Sequence, residues 1–342
     1  MEAIKQLARE RMKGKCRVCP VCDGRVCSGE VPGMGGAGTG SAFRANIEAL
    51  AKVKLAMRCL HDAAMPDTST EVLGLKLALP VMAAPIGGVA FNMGGPEQNP
   101  VDEAKYAEAI IAGSKQAGTI GCGGDGVPPV ISGSAFASIR NADGWGIPFI
   151  KPWEGEEVWT KLEASIATGC PVVGMDVDAA GLVTLRLMGR PVAPTNPAKL
   201  AELAKFVHER GAKFMIKGVM TVVDAKIAAE AGVDAIVVSN HGGRVLDGTP
   251  GGVDVLPAIV EAVGDKIEVL VDGGIRSGTD VLKCLALGAK AVLIGRPLSV
   301  AAVGGETEGV VKYFAQIKGQ LTSAMALTGC ATVADISKDI LA

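Results

Sequence analysis

From about residue 80 the chain repeats one unit: a short apolar run, a glycine-rich or polar exit, then an amphipathic stretch. The apolar runs are PVMAAP, TIGCGG, PFIKPW, VVGMDVD, KFMIKG, AIVVSNHGG, VLVDGG and AVLIGRP. They are nearly continuous in Val, Ile and other apolar residues, as parallel strands covered on both faces must be. TNPAKLAELAKFVHERG, TVVDAKIAAEAG, VLPAIVEAVG and GTDVLKCLALGA follow several of them as helical patterns, each ending near a glycine stop signal. Eight strands alternating with helices predict a (β/α)8 barrel, the TIM-type fold, over residues 80–342. A doubly wound open sheet is the alternative. No repeat of 20–50 residues is evident beyond this rhythm.

The length of 342 residues suits one such barrel with additions. Apolar residues make up 49% and aromatics 4%, so the core must be built from Val, Ile, Leu, Ala and Met. Residues 1–79 read as an N-terminal extension packed on the barrel. It holds a cysteine cluster, the glycine-rich stretch GMGGAGTG and a helical pattern, AFRANIEALAKVKLAMRCLHDA. Net charge is −2 with no long run of one sign, which argues against a nucleic-acid or polybasic membrane partner. LALPVMAAPIGGVAF is too short to span a bilayer and contains two prolines. MEAIKQLARERMKGK has no apolar signal core. The expectation is a cytoplasmic protein acting on a small molecule.

A barrel of this kind places its chemistry at the C-terminal ends of the strands. The polar residues there are Lys151 with Trp153, Asp176, Asp178, Lys217, Asn240, His241, Arg244, Asp272, Arg276 and Arg296. The histidine is informative because the chain has only three: His61, His208 and His241. The last two strands exit into VDGGIRSG and IGRP. Glycine there lets backbone N–H groups approach an anion, and arginine adds bidentate donors, as a phosphate site requires. No GxGxxG loop follows a first strand, and GMGGAG at 33–38 has no strand before it, so a Rossmann cofactor site is not expected.

SNHGGR, VDGGIRSGTDVLKCLALGA and VLIGRP together resemble the FMN-dependent α-hydroxy-acid dehydrogenase/oxidase family. DTSTEVLGLKLALPVMAAPIGG, FIKPW and MDVDAAG extend the resemblance to roughly residues 40–335. The resemblance implies oxidation of a small 2-hydroxy acid, lactate- or glycolate-like, to the 2-oxo acid. It implies His241 as base, Asp178 orienting it, Arg244 clamping the substrate carboxylate and Lys217 beside the flavin. Arg186, Lys151 and Trp153 are further candidates for the substrate. Ala84, Pro85, Ile86, Ser239, Asp272, Gly273, Gly274, Arg276, Gly295 and Arg296 are implied around FMN. A homo-oligomer is implied as well. The family's two substrate tyrosines have no counterpart, since the chain's tyrosines are Tyr106 and Tyr313. Lys151 and Trp153 stand where a Gln and a Tyr are expected. Two other readings compete: an FMN barrel with non-redox chemistry, similar to type 2 isopentenyl-diphosphate isomerase, and a flavin- or cluster-binding sensor.

KCRVCPVCDGRVCSGE sets Cys16, Cys19, Cys22 and Cys27 in the pattern C-x2-C-x2-C-x4-C. Four thiols at this density can hold an iron–sulfur cluster or zinc. An iron–sulfur cluster would open a route to an electron-transfer partner, whereas zinc would staple a loop. The other five cysteines are scattered, and Cys284 falls in an apolar helix as a core residue.

Overall fold

The computed structural model describes residues 1–94 and 101–342. A short antiparallel hairpin, β1 (Thr70–Val72) and β2 (Leu75–Leu77), precedes eight parallel strands. These are β3 (Val81–Ile86), β4 (Gly121–Gly123), β5 (Ile147–Ile150), β6 (Val172–Asp176), β7 (Lys213–Val219), β8 (Ala235–Val238), β9 (Glu268–Asp272) and β10 (Ala291–Ile294). β10 pairs with both β9 and β3, so the sheet closes on itself and the open-sheet alternative falls. Every apolar run expected to be a strand is one.

The strands are apolar on both faces but still alternate. Met82, Phe149, Met215, Val237, Leu270 and Leu293 fill the barrel. Their neighbours Val81, Ile150, Ile216, Ile236, Val271 and Val292 pack outward in the helical layer. With so few aromatics, space for Phe149 is made by Gly174, where a Cβ would lie 2.4 Å from the Phe149 ring. The hairpin stops the N-terminal end of the barrel. Val72, Leu73, Leu75 and Leu77 join the interior cluster, and the Leu73 N–H donates to the Glu268 carboxylate.

The extension wraps the other end. Helix Glu2–Arg11 packs against the long helix Arg296–Ala326. Residues 33–40 cross the C-terminal mouth, where the Ala37 N–H donates to the Gly243 carbonyl at 2.8 Å. The helical pattern over 42–63 is realised only as Ser41–Lys52. Beyond it Val53 is extended, and the chain bridges to the C-terminal segment at Leu55–Leu341 and Asp67–Thr332. Ala56 and Arg58 donate to the carbonyls of Ile340 and Leu327, so tertiary partners replace the intrahelical ones. Among the described residues no helix is long and apolar enough to cross a membrane.

Asp247, just beyond SNHGGR, pins the extension. Its carboxylate accepts from Thr39 N and Oγ1 at 2.6 and 2.7 Å, and from Ser41 N and Oγ at 2.9 and 2.6 Å. The Ser41 and Thr39 hydroxyls and the backbone N–H donors hold this carboxyl well below the usual range. Asp247→Ala is expected to lower stability by about 2 kcal/mol in denaturant titration, the scale of losing hydrogen bonds to a charged acceptor. Because the native pKa is depressed, the wild-type advantage is complete above the ordinary carboxylate pKa of about 3.9. It narrows only as pH falls below that value.

Candidate active site

The turn after β8 is built to hold one imidazole. His241, Gly242 and Gly243 have φ of 57°, 64° and 77°, three consecutive residues in the left-handed region. Gly243 is forced, since a Cβ there would lie 2.3 Å from the Phe43 nitrogen of the extension. His241 has no such freedom, and its strained backbone is held by neighbours. Its N–H donates to Ser239 Oγ at 3.0 Å, and Asn240 Oδ1 accepts from Gly243 N–H and from Asn46 Nδ2.

The His241 Nδ1 lies 3.0 and 3.1 Å from the two Asp178 carboxylate oxygens. An ionised carboxylate only accepts, so Nδ1 is the nitrogen that donates to Asp178 and Nε2 is the ring nitrogen left for a ligand. Asp178 reaches this position because Gly218, at φ 108°, leaves room: a Cβ there would sit 2.5 Å from the Asp178 side chain.

Beneath the histidine lies a buried ion network. Lys217 Nζ is 3.3 Å from Asp176 Oδ1 and 3.7 Å from Asp272 Oδ2. Lys151 Nζ is 3.4 Å from Asp176 Oδ2. Burial alone would lower the Lys217 ammonium, but Asp176, Asp272 and Asp178 outweigh it and hold the group above its usual value. Burial likewise raises Asp176, and Lys217, Lys151 and His241 outweigh it in the other direction. Asp272 is raised, its burial outweighing the pull of Lys217. Asp176, Asp178 and His241 place ligand atoms within 4.8 Å of one another. Two ammonium groups already neutralise Asp176, so this group reads as an ion network and not as a cation site.

A cavity opens above the network. It is lined by Ala84, Pro85 and Ile86 of β3, by Lys151, Lys217, His241 and Arg244, and, at the end formed by the exits of β9 and β10, by Asp272, Gly273, Gly274, Arg276, Gly295 and Arg296. Two groups at that end have no partner: Asp272 Oδ1 and Arg276 Nε are buried and form no hydrogen bond. Arg244, Arg276 and Arg296 pair with no carboxylate among the described residues and donate instead to backbone carbonyls, Asn92 and Cys22. Burial lowers Arg244 and Arg296, to about 10 and about 9, leaving both charged at neutral pH. Desolvated cations without counter-charge and an orphaned carboxylate oxygen fit a ligand that brings both a phosphate and hydroxyl groups. FMN meets both requirements.

Four expected site residues lie outside this lining, one of them Asp178, which holds His241 from behind. Ser239 is fully buried and serves the turn. Arg186 is exposed: in helix Val183–Leu187 the cavity takes Leu182, Thr184 and Leu185, and Arg186 falls on the outer face. Trp153 is buried behind the wall, where its indole donates to Asp125 Oδ2 at 2.6 Å. The substrate roles expected of Arg186 and Trp153 are therefore not supported by their positions. Asp125, which also pairs with Lys161, and Asn92, which accepts from Arg244 at 2.9 Å, line the cavity unanticipated. Asp125 had a visible signal as the one acid in a glycine-rich strand exit, CGGDG. Asn92 had none.

Residues 33–120 and 163–342 match the family model described as FMN-dependent dehydrogenase. An L-lactate dehydrogenase of Caulobacter vibrioides is 33% identical, covering 90% of this chain and 91% of its own. An L-lactate oxidase of Nostoc sp. is 32% identical over 90% and 92%. A crystal structure of mandelate oxidase with benzoyl-formic acid superposes with a TM-score of 0.78 at 28% identity, over 100% of this chain and 97% of that one. Matched by that family model over most of its length, and 33% identical to a lactate dehydrogenase across 90% of its residues, the chain belongs to the FMN-dependent dehydrogenases.

Proposed function

We propose that the protein oxidises 2-hydroxy acids bearing an apolar side chain to 2-oxo acids, with His241 as the base. Bound FMN supplies the two-electron acceptor. The observation that carries the reading is the orientation of His241: Nδ1 is committed to Asp178, and the ring lines the cavity beside Arg244. Nε2 takes the proton of the substrate hydroxyl, and Asp178 stabilises the imidazolium that results. Arg244 holds the substrate carboxylate. Its present bonds to Gly33, Gly35 and Asn92 use three of its five donors, which leaves two for an anion. Lys217, locked by Asp176 and Asp272, presents a fixed positive charge where negative charge develops. Lys151 adds a second ammonium on the same carboxylate.

Beside Asn92, Glu103, Asp125 and Thr184, the remaining wall carries a run of large apolar side chains. Phe91, Ile131, Leu182, Leu185 and Met188 line it, and the phenols expected of the family are absent. This favours a substrate side chain larger than that of glycolate. The isomerase-like reading calls for a second cationic site for a diphosphate. Lys151 and Lys217 are both tied to Asp176 in the central network and form no separate cationic site.

Anaerobic protein mixed with glycolate, lactate, 2-hydroxyhexanoate and mandelate should lose its oxidised-flavin absorbance with one or more acids. A bound flavin that none of them bleaches would sink the reading. Each added methylene should raise kcat/KM about fourfold until the wall is filled, the equivalent of ~0.8 kcal/mol per buried CH2. A flat or falling series from glycolate upward would remove the apolar preference. His241→Ala should keep flavin at wild-type stoichiometry while kcat falls by about 10²–10⁴. Unchanged turnover would show that the base lies elsewhere.

A further inference from the structure

We propose that Cys16, Cys19, Cys22 and Cys27 ligate an iron–sulfur cluster set against the phosphate end of the flavin cavity. All four are free, partly buried thiols. They line one cavity of about 530 Å³ together with Met34, Gly274, Arg276 and Arg296. Those last four residues also line the flavin cavity, so the two sites share a wall. The proposal does not depend on the identity of the hydroxy-acid substrate. The cysteines lie before residue 33 and so outside the part of the chain that matches the family model.

The loop is braced in a form that serves thiolates. Arg9 donates to the carbonyls of Arg17 and Val18, and Arg17 pairs with Glu30. Val18 is a β-branched residue at φ 46°, a costly backbone for its type. Its N–H donates to Cys16 Sγ at 3.4 Å. Arg276 Nη2 donates to the Cys22 carbonyl at 3.3 Å and approaches Cys22 Sγ at 3.6 Å. Hydrogen bonds to sulfur and nearby cations are the means by which proteins stabilise an anionic cluster. Arg276 and Arg296 offer that charge, and neither pairs with a carboxylate among the described residues.

A zinc ion about 2.3 Å from each sulfur would set the sulfurs ~3.8 Å apart. Among the described residues no three of these sulfurs lie within 4.8 Å of one another. A 4Fe–4S cluster takes one thiolate on each of its four irons and so suits thiols set around an open space, which the shared cavity offers.

The test is to purify the protein anaerobically, incubate it with ferrous iron and sulfide, desalt it, and assay metal, sulfide and flavin. Iron and acid-labile sulfide in equal amounts, about four of each per chain, are expected. The dithionite-reduced protein should give an electron paramagnetic resonance signal, which fully reduced flavin does not. Cys19→Ser and Cys22→Ser should each bring iron and sulfide to background while flavin stays at the wild-type level. Cys59→Ser, at an exposed cysteine outside the loop, should change nothing. One zinc per chain without sulfide, or wild-type protein that retains no iron, overturns the proposal. Iron retained at the wild-type level in both ligand variants also overturns it. If a variant loses its flavin as well, the wild-type iron, sulfide and resonance measurements still decide.

Discussion

The ammonium of Lys217 is the point on which the working end of the barrel depends. It projects from β7, reaches Asp176 on β6 and Asp272 on β9, and lies 3.5 Å from the imidazole that follows β8. Four consecutive staves of the barrel thus meet at one charge that is 3% exposed. An unpaired ammonium at that depth would be untenable, so the carboxylates around it are held in place by electrostatics as firmly as by packing. Below this layer the barrel is filled by hydrocarbon. Above it the cavity begins. The ion network is the boundary between the part of the molecule that only has to be stable and the part that performs chemistry.

Much of this was legible in the sequence, for a physical reason. Parallel strands covered on both faces must be apolar throughout, so a charged residue at the end of such a run is conspicuous. His241, Asp178, Lys217, Asp272 and the arginines of DGGIRSG and IGRP stood out in that way, and all of these except Asp178 line the cavity itself, with Asp178 holding the histidine from behind. Trp153 and Arg186 misled because position along the chain does not say which way a side chain turns. One turned inward behind the wall to bond Asp125, and the other fell on the outer face of a one-turn helix. The helix expected to run to residue 63 stopped at Lys52, because the backbone beyond finds partners near residue 340. Contacts that distant leave no local pattern.

The two stretches outside the family match, 1–32 and 121–162, are also where the site departs most from expectation. The second carries Asp125, Lys151 and Trp153 in and around β4 and β5. There an indole, two lysines and an acid form one connected polar group, in which Asp125 and Lys151 line the cavity and Trp153 and Lys161 lie behind them. Lys151 couples that group to the central network through Asp176. The family match therefore includes the stretches that carry His241, Arg244, Arg276 and Arg296 and leaves out the side of the cavity opposite them. With His241 as the proposed base, a wall that differs there changes which acid is accepted more readily than what is done to it.

The segment that crosses the barrel mouth also has a consequence for how the molecule comes into being. Met34 accepts from Arg296, 262 residues away, and Thr39 and Ser41 are held by Asp247, more than 200 residues downstream. On the ribosome the first forty residues emerge early and have nothing to bind until the turn after β8 appears. At ordinary synthesis rates that is about 10–40 s later. Four thiols stay uncovered for that whole interval, open to whatever oxidant, metal or delivery protein is at hand. The order of synthesis thus leaves the cysteine loop addressable before the barrel that will shelter it exists.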